Sequence, residues 1–134
     1  MRILKLVSKY SLAVFFIVAG LNHFLNPSFY LKIMPPYLPW HLFLVYLSGL
    51  FEIAFGSLLM VARYSRYAAW GIIALLIAVF PANIHMATHP ELYSQISPIA
   101  LWLRLPLQGV LILWVYWHTR PDVSREGNHR VAAA

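Results

Sequence analysis

The chain has 134 residues, 61% of them hydrophobic and only 10% charged, with a formal net charge of +6. Soluble domains carry about 25% charged residues, so this composition excludes an ordinary water-facing surface, and the length suits a single domain. Cysteine is absent, which excludes disulfides, thiol redox chemistry, cysteine nucleophiles and thiolate-bound metal, and the basic residues fall in short clusters between apolar runs, a pattern suited to lipid headgroups rather than to nucleic acid.

Arg2, Lys5 and Lys9 precede the first apolar run, an arrangement that resembles the start of a signal peptide. No small-x-small cleavage site closes the run. It continues into Leu21-Asn22-His23-Phe24, so residues 8–25 are predicted to be a retained first span. The loop 26–39 follows. Asn26 and Pro27 suit the N-cap and N1 positions of a short helix, which Pro35-Pro36 would stop. Phe29, Tyr30, Tyr37 and Trp40 suit a membrane interface, so this loop is expected to lie on the bilayer surface. The second span is predicted over 40–62, followed by a tight turn at Arg63-Tyr64-Ser65-Arg66 and a third span over 67–86. A connection with two prolines leads to a fourth span over 99–117. Each run approaches the roughly 20 residues that a helix needs to cross about 30 Å of hydrocarbon. In lipid the backbone must satisfy its own hydrogen bonds, so such runs are helical.

The expected fold is therefore an all-α membrane protein, a four-transmembrane-helix bundle over residues 1–118, with a polar, charged and mobile tail over 119–134. Arg2, Lys5, Lys9, Arg63, Arg66, Arg120, Arg125 and Arg130 share one side of such a bundle, and only Lys32 lies in the loops of the other. The positive-inside rule then predicts cytoplasmic N- and C-termini, in a bacterial cytoplasmic (inner) membrane.

Two charged residues remain within the apolar segments, Glu52 near the middle of the second span and Arg104 in the outer half of the fourth. A charge at a helix centre costs about 2.5–3.5 kcal/mol on insertion scales, and such residues usually face a bundle interior. Glu52 and Arg104 are expected to approach each other, directly or through water, either as a structural ion pair or as part of a functional site, with no contact between them as the remaining reading. At about 100° per residue, Ser48 and Glu52 share a face with Gly49 and Gly56 at its margin. Gly71, Ala74, Ala78, Ala82, His85 and His89 form one stripe, Ala19, Asn22, His23 and Asn26 another. Asn22, His23, Glu52, Asn83, His85, Arg104 and Gln108 are the candidate ligand-binding or proton-relay residues of an outward-facing polar cavity. Pro81 and Pro106 free carbonyls near Ile77 and Trp102, which need partners. His85 and His89 have metal-chelating i, i+4 spacing, but no carboxylate adjoins them and His89 precedes Pro90, so a metal is not expected.

These residues stand in blocks: Gly20-Leu21-Asn22-His23-Phe24, Ile33-Met34-Pro35-Pro36-Tyr37-Leu38-Pro39, Ser48-Gly49-Leu50-Phe51-Glu52, Phe80-Pro81-Ala82-Asn83-Ile84-His85-Met86 and Leu103-Arg104-Leu105-Pro106-Leu107-Gln108. In order and spacing they resemble the DoxX-like family of small four-span membrane proteins, over nearly all of the chain except the tail. The family takes its name from a subunit of a terminal quinol oxidase, and relatives are linked to membrane redox complexes. Similar eukaryotic proteins include an assembly factor for nicotinic receptors. The resemblance implies the four-span fold and carries over no catalytic residue, and whether the chain is an enzyme stays open.

Three functions fit. The first is a quinone- or lipid-binding component of a membrane redox system, with His, Arg and Gln bonding quinone carbonyls and Glu52 relaying protons. The second is a non-enzymatic assembly or scaffold subunit for another membrane protein. The third is a small-solute or proton carrier, which needs a homo-oligomer. The expected partners are the lipid bilayer and a membrane protein or a second copy, not nucleic acid; quinone is the cofactor that the polar residues could hold.

Overall fold

The computed structural model describes residues 2–120. All its regular elements are helical: α1 (Arg2–Leu25), α2 (Pro27–Ile33), α3 (His41–Met60), α4 (Ser65–Thr88), a 3-10 turn (Pro90–Leu92) and α5 (Pro98–Trp117). The four long helices are long and apolar enough to cross a membrane, and they coincide with the four apolar runs of the sequence. α1 starts six residues before its apolar run, so the basic residues Arg2 and Lys5 ride on its first turns. α2 begins with Pro27 at N1 and ends ahead of Pro35, as expected, although the Asn26 side chain makes no capping bond. Trp40 enters α3 with φ 50°, the one left-handed non-glycine among the described residues.

Sequential helices run antiparallel. The end that carries the N-terminus also carries the α3–α4 turn and the end of α5. There Trp114 Nε1 donates to Ser8 Oγ at 2.7 Å, and His118 Nε2 lies 3.1 Å from the same hydroxyl. Lys5 Nζ donates to the Arg120 carbonyl at 3.1 Å. Below this junction Leu12, Ala13, Phe16, Leu59, Ala69, Ile72, Leu76 and Val115 form the main core. Thr119 is buried and its hydroxyl donates to the Tyr116 carbonyl at 2.7 Å, so the first residue expected in a mobile tail is instead part of the fold. The rest of the expected tail, 121–134, lies outside the described residues.

Glycine sets the closest approach. A Cβ on Gly20 would lie 2.7 Å from the Gly49 carbonyl oxygen, and one on Gly49 would lie 2.9 Å from the Gly20 carbonyl oxygen. The two backbones leave no room for a methyl at either position, and this close approach packs α1 and α3 as one unit. Gly49 and Gly56 are thus the centre of the α3 contact face and not its margin.

The expected α4 stripe is also displaced. Ala74 and Ala78 are exposed, whereas Ile72, Ile73, Leu76, Met86 and Ala87 are buried. No more than 28% of the most apolar window of any long helix is buried. The inward face of α4 mixes small and large residues, Ala68, Ala69 and Ala87 with Ile72, Ile73, Leu76 and Met86, so small size alone does not mark it. The exposed remainder, including Val14, Phe15, Ile77, Leu107, Val110 and Leu113, surrounds the bundle.

Candidate functional site

The end of the bundle remote from the termini gathers the polar residues that the sequence singles out, in three groups rather than in one cavity. The first joins α1, α2 and α3. His23 is buried, and its Nδ1 lies 2.9 Å from the Val45 carbonyl oxygen. Its Nε2 lies 3.5 Å from Glu52 Oε1. Tyr30 of α2 stacks on the imidazole, ring centroids 3.8 Å apart and planes 22° apart, and Asn22 Nδ2 donates to the Tyr30 hydroxyl at 2.9 Å. Glu52 Oε2 is buried without a hydrogen-bond partner.

The expected approach of Glu52 to Arg104 is not seen. Among the described residues the carboxylate pairs with His23, and no ion pair within 4.0 Å includes Arg104. The reason is the α1–α3 contact. Gly20 and Gly49 bring His23, one turn along α1, against Glu52, one turn along α3, while α5, which carries Arg104, packs chiefly on α4 and not on α3.

The second group joins α4 and α5. Gln108 is buried; its Nε2 donates to the Leu76 carbonyl, and its Oε1 accepts from Asn83 Nδ2. Leu76 adjoins Ile77, whose carbonyl Pro81 leaves without its usual donor. The side chain of α5 therefore bolts α4 at its proline-weakened turn. Beside this bolt runs an open groove of about 210 Å³, lined by Leu76, Val79, Asn83, Arg104, Leu107, Gln108 and Leu111. Arg104 is the one charged residue of its lining.

The third group lies at the α4–α5 connection. His85 Nδ1 is 3.3 Å from the Tyr93 hydroxyl, and His85 and His89 stack with centroids 4.3 Å apart. Burial, and then the neighbouring Tyr37, push the Tyr93 phenol above its ordinary value of 10.0. A raised phenol favours the fold below the unfolded value and loses that contribution as pH rises through the folded one. Stability should therefore fall on the alkaline side of pH 10.0. Tyr93→Phe is expected to flatten that limb, as read by thermal unfolding against pH.

Tyr30, Tyr93 and the Val45 and Leu76 carbonyls were not among the sequence candidates. Tyr30 reads as an interface aromatic, and backbone acceptors leave no trace in a sequence. One signal did exist for the first group. Gly20 and His23, and likewise Gly49 and Glu52, are three residues apart, so a close glycine crossing would align the two polar side chains.

Residues 12–119 match the family described as a domain of unknown function, DUF8561. No curated protein and no solved structure matches the chain. The matched segment runs from the first buried leucine of α1 to Thr119 and includes all three polar groups, and on that match the chain belongs to the DUF8561 family.

Proposed function

We propose that this chain is a four-span protein of the cytoplasmic membrane, both ends in the cytoplasm. In this reading it binds an amphiphile with an oxygen-bearing head, quinone or lipid, as a component of a membrane redox system. The orientation is supported by Arg2, Lys5, Lys9, Arg63, Arg66 and Arg120, which gather at the termini end, while Lys32 lies toward the other. The redox half is supported by the resemblance to DoxX-like proteins.

The observation that carries the binding half is Arg104. A guanidinium has five donors and no acceptor, and it is costly in an apolar setting without a partner. Here it lines a groove with Asn83 and Gln108 and has no carboxylate within 4.0 Å among the described residues. An acceptor from outside the chain would satisfy it. Binding pockets for whole small molecules run to about 300–1,000 Å³, so a groove of about 210 Å³ suits a headgroup, with the tail left along Leu107 and Leu111 in the bilayer.

The test is the complement of quinones and phospholipids that co-purify with the protein in mild detergent, read by mass spectrometry. One species should be enriched over the bulk membrane. Arg104→Ala should remove it, because a charge-assisted hydrogen bond contributes about 1.5–3 kcal/mol, tenfold or more in affinity, and the two proteins stripped of that species should melt at the same temperature. Enrichment of a quinone and enrichment of an anionic phospholipid separate the two sources. Identical complements in both proteins would refute the binding site and favour the assembly-subunit alternative.

A further inference from the structure

The His23–Glu52 contact contains a proton-counting constraint. A carbonyl oxygen only accepts, so the 2.9 Å contact with Val45 places a hydrogen on His23 Nδ1. An uncharged imidazole then has a bare lone pair at Nε2, the atom that faces Glu52 Oε1. A bare lone pair facing a carboxylate is repulsive unless a proton lies on one of the two groups. The pair is therefore either imidazolium with carboxylate or imidazole with carboxylic acid. Both forms hold one proton and are neutral. Removing that proton leaves a net charge of −1 between helices, which is costly in a low-dielectric interior.

Two independent features equip this pair to exchange its proton. Glu52 Oε2 is buried and accepts no hydrogen bond, so a proton placed on it would displace no existing bond while the other oxygen faces His23. Tyr30 covers the imidazole face, where a ring favours a cation, and Asn22 fixes the phenol in place. The cover belongs to α2, a helix of seven residues outside the four long ones. Toward this end of the bundle the titratable groups on the elements packed around the pair are Tyr30 and the exposed Lys32 on α2, His41 and Tyr46 on α3, and His85 on α4, which is engaged by Tyr93 and His89. Among the described residues, no second carboxylate lies within 4.0 Å of His23 and no second cation within 4.0 Å of Glu52.

We infer that His23 and Glu52 form a one-proton site inside the bundle, with Glu52 Oε2 as its unoccupied acceptor and Tyr30 as its cover. Loading takes a proton from water and converts the site from a net charge of −1 to neutral. Unloading returns the proton to water, and no electrons move. The site stands on α1 and α3 and not on the α4–α5 groove, so it can hold when the amphiphile reading fails, and the reverse.

Difference infrared spectroscopy of the full chain in lipid nanodiscs, titrated with pH, tests the site. Carbon-13 labelling of glutamate and, separately, of histidine assigns the bands in the unsubstituted protein. Glu52→Gln and His23→Gln identify which bands belong to the pair. A shared proton gives carboxyl and imidazole bands that change with one common midpoint, and each substitution abolishes or displaces the other residue's change. Separate midpoints that do not respond to the partner's substitution would overturn the site, as would labelled glutamate and histidine bands of the pair that both stay unchanged across the titration. If Glu52→Gln fails to fold, the labelled unsubstituted protein and His23→Gln still decide between one midpoint and two. Tyr30→Leu should speed hydrogen–deuterium exchange of the pair severalfold, and an unchanged rate would remove Tyr30 as the cover.

Discussion

Gly49→Ala is expected to be among the most destabilising single-methyl additions in this protein. Its Cβ would lie 2.6 Å from His23 Cβ, 2.9 Å from the Gly20 carbonyl oxygen and 3.1 Å from Phe24 Cε2. The first two neighbours cannot step aside. One is a backbone atom, and the other begins a side chain held at its far end by Val45 and Tyr30. Overpacking costs about 1–3 kcal/mol, and at this site the upper half of that range applies because α1 and α3 must separate as rigid units. Separation also lengthens the contact between His23 and Glu52, so the fold and the polar pair should fail together. The other glycines grade the prediction. Gly56→Ala meets the Ala13 carbonyl oxygen and Ile17 Cγ1 at 3.0 Å and should cost less. Gly71→Ala meets only the ring of Phe55, a side chain that can rotate. Gly109→Ala meets nothing within 4 Å and should be neutral or stabilising by up to about 1 kcal/mol, the helix-propensity gain of alanine over glycine. Thermal unfolding in detergent, followed by circular dichroism, reads the order. A Gly49 variant as stable as the Gly109 variant would show that α1 and α3 do not approach this closely.

This ranking also marks where sequence reading reaches its limit. The four long helices were legible because about 20 consecutive apolar residues have few other uses, and the prolines at 27, 35 and 36 bound α2 by removing donors. Which face of each helix turns inward was much less legible. In a water-soluble helix, hydropathy contrast marks the buried face; here both faces are apolar, and the contrast vanishes. The stripe of Ala74 and Ala78 on α4 looked like a contact face because small residues permit close packing, yet it lies outside, and Ile72, Ile73 and Leu76 lie within. Glu52 shows the same limit in a polar residue. Opposite formal charge suggests Arg104, whereas the glycine crossing delivers His23 first. A residue's level along the helix axis follows from counting at 1.5 Å per residue. Its azimuth depends on which neighbour comes closest, and that is decided by two helices together.

Gln108→Met should separate the scaffold of the α4–α5 groove from its binding role. Methionine nearly matches glutamine in length and removes both amide functions, so the Leu76 carbonyl loses its second, interhelical donor and Asn83 Nδ2 loses its acceptor. Leaving a buried polar group unpaired costs about 1–3 kcal/mol. Interhelical hydrogen bonds between membrane helices average about 0.6 kcal/mol and reach about 1.7, since the separated helices find substitute partners. The expected loss lies within that second range, about 1 kcal/mol, because the Leu76 carbonyl keeps its helical donor, the Phe80 N–H, and only Asn83 Nδ2 is left without its acceptor. Asn83→Leu alone should cost less, since Gln108 keeps its bond to Leu76. The double variant should be less destabilised than the sum of the two by about 0.5–1 kcal/mol, the coupling expected for one shared hydrogen bond. Additive losses would mean that the Asn83–Gln108 bond contributes nothing. Arg104→Ala leaves both bonds of this bolt intact and should empty the groove while leaving the melting temperature of the ligand-free protein unchanged. Gln108→Met lowers the melting temperature and loosens the wall against which any headgroup would rest. A protein in which the two variants gave the same profile would have one polar network across α4 and α5, with Arg104 as a strut and not as the open end of a binding site.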